Sequence, residues 1–201
     1  MSVRSAKKLM IQSGLADLLG RYNLDTFETE APYQKAIKEA AIQYTEGKGG
    51  LWFFIGGQVG CGKTHICTAI SQKLMEDGVP VRYMLWQDES KIIKGCINDS
   101  EAYESRITEL KRVPVLYIDD LFKTERSDGK MARPTTADIN LAFEIINARY
   151  NDRSLKTIIS CEWLLSELIE FDEGTVSRIY ERSRGSRLEI SRDPAKNYRL
   201  R

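Results

Sequence analysis

The stretch LWFFIGGQVGCGKT, residues 51–64, decides the fold. Leu51 to Ile55 is an apolar run closed by glycines, which predicts a strand buried on both faces. Gly57-Gln58-Val59-Gly60-Cys61-Gly62-Lys63-Thr64 then fills the pattern G-x-x-x-x-G-K-[ST] in full. The chemistry explains each fixed position. Gly57, Gly60 and Gly62 allow backbone turns closed to other residues and bring N–H groups against phosphate oxygens. Lys63 opens a helix expected to run to about Asp77, with Ile66, Ala69, Ile70 and Leu74 on one side. There its ammonium reaches β- and γ-phosphates, and the helix N-terminus favours negative charge. Thr64 offers a hydroxyl to Mg²⁺. Cys61 and His65, inside and beside the loop, are counted with these nucleotide-binding positions. The pattern sits between strand and helix as its chemistry requires, so nucleotide binding is the leading expectation.

Working outward, strands are expected at Val81–Trp86, Val115–Ile118 and Thr157–Ser160. Helices are expected at Tyr33–Tyr44, at 88–111 with a break near Asn98–Ser100, at Ala137–Tyr150 and at Trp163–Glu170. Residues 122–134 are polar and read as a mobile loop. Strands alternating with helices predict an α/β fold with a parallel sheet covered by helices on both faces.

A Mg²⁺ held by a hydroxyl and phosphates needs a carboxylate at the end of a neighbouring buried strand. Val115-Leu116-Tyr117-Ile118-Asp119-Asp120 supplies two, 56 residues beyond Lys63. Asp119 is the candidate metal ligand with Thr64, directly or through water. Asp120 stands where a carboxylate orients or deprotonates an attacking water. Its side chain is one methylene shorter than glutamate, so slow intrinsic hydrolysis is expected. Ser160, at the carboxyl end of another strand, is positioned to face the γ-phosphate. In 174–185, Val176, Ile179 and Tyr180 form an apolar stripe, and Arg178 and Arg182 are expected to project together from the opposite side. An exposed pair of that kind suits a finger supplied to the nucleotide of an adjacent subunit. Arg199 is a candidate nucleotide contact from within the same chain.

Composition narrows the alternatives. Lys plus Arg is 30 against 29 Asp plus Glu, so the chain is not basic throughout and any nucleic-acid contact must be local. The charge is uneven: residues 1–21 sum to +3, residues 22–177 to −7 and residues 178–201 to +5. No apolar run is long enough to span a bilayer and no signal-peptide core is visible, which points to a cytoplasmic protein without membrane contact. Cys61, Cys67, Cys96 and Cys161 form no C-x-x-C pair and His65 is the only histidine, so a structural zinc site is not expected.

Taken together, the segments LDTFETEAPYQKAIKEA, FFIGGQVGCGKTHICTAI, VRYMLWQDES, VLYIDDLFKT, PTTADINLAFEIINARY, TIISCEW, SRIYERSRG and NYRLR resemble the DnaC/DnaI-type helicase loaders of the AAA+ ATPases. The likeness is strongest to the DnaC-like ATP-binding proteins of Gram-positive bacteria and their phages, and runs from about Ser13 to Arg201. It implies an AAA+ P-loop ATPase domain over 51–201, preceded by a basic segment and helix over 1–50. It implies Lys63 and Thr64 as Walker A, Asp119 and Asp120 as Walker B, Ser160 at sensor 1, Arg182 or Arg178 as arginine finger and Arg199 as sensor 2. The implied cofactors are ATP and Mg²⁺. The implied partners are single-stranded DNA, a hexameric replicative helicase, and a second copy of the chain through the arginine finger. The segment of about 88–112, with Lys91, Lys94, Arg106 and Lys111, is the implied DNA contact. Family members often carry a further N-terminal helicase-binding region, to which no stretch here corresponds, and Glu162 departs from the pattern after sensor 1. An IstB-type transposase helper ATPase shares nearly every motif and is the alternative. A P-loop small-molecule kinase, with the 122–134 loop (Lys123, Arg126, Lys130, Arg133) as its lid, is a third reading.

Overall fold

The computed structural model describes residues 15–124, 126–127 and 130–200. The first fourteen residues of the basic N-terminal segment, and Arg201, lie outside that range. In chain order the elements are α1 (Pro32–Thr45), β1 (Trp52–Gly57), α2 (Lys63–Glu76), β2 (Val81–Leu85), α3 (Trp86–Gly95), α4 (Ser100–Arg112) and β3 (Val115–Leu121). They continue with β4 (Arg126–Ser127), β5 (Lys130–Met131), α5 (Thr136–Asn151), β6 (Lys156–Cys161), α6 (Leu165–Leu168), α7 (Glu173–Arg182) and β7 (Arg187–Ile190). Two short 3₁₀ turns, Pro194–Lys196 and Tyr198–Leu200, follow.

β1 is buried along its length because its side chains alternate between two cores. Trp52 and Phe54 enter one, Phe53 and Ile55 the other. β3 divides in the same way, with Leu116 and Ile118 against Val115 and Tyr117. The sheet is parallel throughout, in the order β2-β3-β6-β1-β7. On one face lie α3 to α7, through residues such as Trp86, Ile107, Ile145, Leu168 and Ile179. On the other, α1 (Ile37, Ala41, Tyr44) shares a core with α2 (Ile66, Cys67, Ile70) and with Leu15 and Phe27. Cys61, Cys67 and Cys161 are buried and Cys96 is partly so.

Arg149, fully buried near the end of α5, joins three elements. Its guanidinium donates to the carbonyls of Leu110 (2.9 Å), Val113 (3.0 Å) and Lys156 (2.6 Å) and to the Thr157 hydroxyl (3.0 Å). Burial depresses its pKa to about 10.

Three expectations need correction. β7 is a fifth strand that the sequence does not announce: four residues with Arg187 and Glu189 among them carry too little apolar periodicity, yet they pair with β1 from Phe54 to Gly57. The expected loop at 122–134 contains the antiparallel pair of β4 with β5, while residues 125, 128 and 129 lie outside the described range. The helix expected at 163–170 is the single turn α6, followed by the separate helix α7, whose start is capped by the Asp172 carboxylate accepting from Thr175 N–H at 3.0 Å. The break foreseen near 98–100 is present between α3 and α4.

Candidate nucleotide-binding site

The turn after β1 is built as its glycines dictate. Gly57, Gly60 and Gly62 have φ of 132°, 79° and 94°. A Cβ on Gly57 would stand 2.3 Å from the Ile190 carbonyl, so glycine is what lets β7 end against this loop. Gly62 caps α2 in the left-handed conformation, and Lys63 follows as the first helical residue. Buried to 6% exposure, Lys63 donates through Nζ to the carbonyls of Gly57 (2.8 Å) and Gln58 (2.7 Å), placing its charge beneath the loop. The Cys61 thiol donates to the Gln58 carbonyl at 3.0 Å inside the core, so only its backbone is available to a ligand.

The carboxylates stand across from this turn at the end of β3. Asp119, 3% exposed, has an unusually full set of hydroxyl donors. Ser160 (2.5 Å), Tyr117 (2.8 Å) and Thr64 (3.3 Å) donate to Oδ1, and Tyr83 (3.1 Å) to Oδ2. Burial, then the charge of Asp120, raise its carboxyl above the usual aspartate value, while the hydroxyls pull the other way. Tyr117 is reached by strand alternation two residues before Asp119, and Tyr83 lies beside Tyr117 in the β2–β3 register. Sequence reasoning missed both; the period-2 spacing of Tyr117 was the available signal.

Ser160 stands near the carboxyl end of β6 as expected, with its hydroxyl engaged by β3. It is fully buried and does not line the cavity, because its hydroxyl donates to Asp119 and accepts from the Asp120 N–H at 2.8 Å. It orders the β3 carboxylates, holding the Asp119 side chain and the Asp120 backbone with one hydroxyl. Asp120 itself reaches the cavity, on a residue with φ 55° after a register shift in β3.

A cavity of about 250 Å³ brings together Gly60, Gly62, Lys63, Thr64, His65, Asp120, Lys123, Glu162 and Arg199, with Tyr22, Thr26, Phe27 and Tyr198 in its wall. His65 Nε2 lies 3.0 Å from the Asn23 carbonyl and 3.2 Å from the Thr26 hydroxyl, with its ring against Tyr22 and Phe27. Burial lowers its pKa, so the ring is neutral at pH 7 and holds the N-terminal segment over the cavity. The C-terminal segment is stapled to the glycine loop from the other side. Gln58 exchanges hydrogen bonds with the Asp193 backbone (2.7 and 2.6 Å), and Tyr198 N–H donates to the Gly60 carbonyl at 2.9 Å. That attachment places Arg199 in the wall.

The arginine helix also differs from expectation. Tyr180 is exposed and leaves the apolar stripe to Val176 and Ile179. Arg178 and Arg182 are half-buried against α5. Arg178 donates to Asn147 Oδ1 (3.0 Å) and Gly174 O (2.6 Å) and stacks on Phe143 and Tyr150. Arg182 donates to the Tyr150 carbonyl and stacks on the same ring. The pair does not project freely because aromatic faces on α5 attract guanidinium groups. Neither lines the cavity of its own chain. In the α3–α4 segment, Lys94 pairs with Asp138 (2.5 Å), Arg106 with Glu89 (3.6 Å) and Lys111 with Glu144 (2.6 Å), so these cations carry local acidic partners.

The residues fit a Mg-nucleotide. The glycine cradle excludes side chains, a buried ammonium is held against the loop by its carbonyls, and a hydroxyl and a carboxylate stand 3.3 Å apart as hard oxygen donors. A five-stranded parallel sheet with this turn after its β1 and acids at the end of β3 defines a P-loop protein of the AAA+ fold. Residues 2–169 match the family described as IstB-like ATP binding protein, and the chain belongs to that family. Phage-like element PBSX protein XkdC of Bacillus subtilis (strain 168) is 30% identical over 190 residues, covering 90% of this chain and 69% of XkdC. In structure, the chain is similar to the DnaC helicase loader (TM-score 0.69, 23% identity, 85% of this chain and 97% of that one). It is equally similar to the replication initiator DnaA bound to AMPPCP and single-stranded DNA (TM-score 0.69, 22% identity, 88% of this chain). It spans 51% of that DnaA chain. Among the described residues, no helix is long and apolar enough to cross a membrane.

Proposed function

We propose that the protein is an ATP hydrolase that loads a hexameric replicative helicase onto single-stranded DNA, with nucleotide state switching its assembly. The observation that carries the reading is the single cavity where the Gly57–Thr64 turn, the Asp120 carboxylate and the C-terminal Arg199 meet. The glycine-loop N–H groups and Lys63 would bind the phosphates, and Thr64 and Asp119 would hold Mg²⁺. The bound metal supplies charge neutralisation at the β- and γ-phosphates. Asp120 orients the attacking water and accepts its proton at a carboxylate oxygen. Tyr83, Tyr117 and Ser160 hold Asp119 in one orientation. The N-terminal segment around His65 and the C-terminal segment around Tyr198 exclude bulk water from two sides.

Arg182, or Arg178, is the residue offered to a neighbouring copy. Its Nε is buried without a hydrogen-bond partner among the described residues, a capacity that the present packing leaves unused. An arginine finger contributes about 10³- to 10⁵-fold in rate. Mixing Arg182→Ala with Asp120→Asn should therefore restore turnover that neither has alone; failure to complement counts against action between subunits.

Similarity to the DnaC helicase loader over 97% of that chain supports helicase loading. The IstB-like family match favours a second reading, in which the same ATPase assists a transposase. ATPase rates measured alone, with single-stranded DNA, and with the hexameric helicase or the transposase separate the two. Stimulation by DNA and helicase is the expected outcome. Stimulation by transposase alone assigns the second function.

A further inference from the structure

We propose that Lys123 is the cation by which this site tells a nucleoside triphosphate from a diphosphate. The inference rests on the ATP-site reading and concerns a residue that the P-loop motif does not include. Where β3 and β6 end, the cavity wall consists of two carboxylates, Asp120 and Glu162. Lys123 bridges them, with Nζ 2.5 Å from Asp120 Oδ2 and 3.0 Å from Glu162 Oε1. Its side chain is 35% exposed, against 16% for Asp120 and 6% for Glu162, so the ammonium is the outward member of the trio.

The backbone is bent to put it there. Asp120 and Phe122 both occupy the left-handed region, at φ 55° and 60°. Lys123 N–H donates back to the Asp120 carbonyl at 2.9 Å, closing a turn at the strand end. A left-handed backbone is unfavourable for both residues, and Phe122 is anchored by burial against Trp86. Strain held in place by packing at the rim of a cavity points to a positioned side chain.

Charge supplies the function. Of the other cations on the cavity, Lys63 lies under the loop and Arg199 stands on the C-terminal wall. Ser160, the residue nominated to read the γ-phosphate, spends its hydroxyl on Asp119 and Asp120. A terminal phosphate meeting Asp120 and Glu162 without Lys123 would face two like charges. With Lys123 it meets an ammonium that exchanges carboxylate for phosphate oxygen and thereby frees Asp120 to address water. A diphosphate ends short of this wall and gains nothing from it.

The test is calorimetric titration of wild type, Lys123→Met and Lys123→Arg with ADP and with a non-hydrolysable ATP analogue, each with Mg²⁺. From the strength of a charge-assisted hydrogen bond, Lys123→Met should lose about 10- to 100-fold in affinity for the ATP analogue. Its ADP affinity should stay within about threefold, and Lys123→Arg should keep most of the preference. Equal losses for both ligands, or none, overturn the proposal while leaving the ATP site intact. Absence of binding to either ligand by wild type overturns the ATP-site reading and the inference with it. Should Lys123→Met fail to fold by circular dichroism, Glu162→Gln decides: removing one competing anion should raise the preference for the ATP analogue, and an unchanged or lower preference refutes the role.

Discussion

Removing the hydroxyl of Tyr83 or Tyr117 probes how the buried Asp119 carboxylate is sustained. The two phenols meet different oxygens. Tyr117, at 2.8 Å from Oδ1, shares that atom with Ser160 and Thr64, whereas Tyr83, at 3.1 Å, is the donor on Oδ2 among the described residues. A hydrogen bond to a charged group contributes about 1.5–3 kcal/mol, and a charged acceptor left bare inside the protein costs the upper part of that range. Tyr83→Phe should therefore destabilise by about 2–3 kcal/mol and Tyr117→Phe by about 1 kcal/mol, although Tyr117 is the more buried residue. The sign of the pH dependence follows from ionisation. Asp119 has a folded pKa raised above the ordinary 3.8, and loss of a donor raises it further. The deficit is thus complete at pH values above the folded pKa of the variant, and it shrinks as pH falls through that value because the neutral acid needs the phenol less. Urea denaturation at pH 7 and at progressively lower pH measures both effects. A Tyr117→Phe deficit equal to or larger than that of Tyr83→Phe, or a Tyr83→Phe deficit independent of pH, would mean that Tyr83 does not sustain the Asp119 charge.

Other perturbations address the scaffold and the cavity walls. Arg149→Ala leaves three carbonyls and the Thr157 hydroxyl without their donor, and should cost at least about 3 kcal/mol in chemical denaturation; a loss under about 1 kcal/mol would mean that water replaces the guanidinium. His65 is held neutral by burial with its pKa below 6.5, so its contribution is complete above that value and is lost as pH falls through the folded pKa. Amide protection around Tyr22–Phe27, corrected for the intrinsic pH dependence of exchange, should fall over that window in wild type and not in His65→Gln; equal pH dependence in the two would contradict the role. Gly57→Ala drives a Cβ to 2.3 Å from the Ile190 carbonyl and should loosen β7, seen as faster exchange of its amides; unchanged protection would contradict the close approach.

Much of the site was legible because it is local. Gly57 to Thr64 encodes turn, helix cap and ammonium within eight residues, and Asp119–Asp120 is marked by the apolar strand it ends. Lys63, Thr64 and Asp120 accordingly meet in space as their order along the chain predicts. What escaped depends on distant partners. Ser160 is a strand end in sequence, but its hydroxyl is claimed by β3. Arg178 and Arg182 share a helix face as the spacing requires, yet Phe143 and Tyr150 of α5 decide what that face touches. Edge strand β7 draws its stability from pairing with β1 and from the loop contact at Ile190, neither of which leaves a periodic signal in four residues. Lys123 reads as one polar residue in a loop until the left-handed turn folds it over its own strand.

On the proposed function, a triphosphate is held between the glycine turn and the β3 carboxylates. Calorimetric titration of wild type and Lys63→Ala with a non-hydrolysable ATP analogue and Mg²⁺ tests it most directly. One molecule bound per chain in wild type, and affinity weakened by about 100-fold or more in a folded Lys63→Ala, is the expected result. Equal affinity in the two proteins, or no heat of binding in wild type, would contradict it.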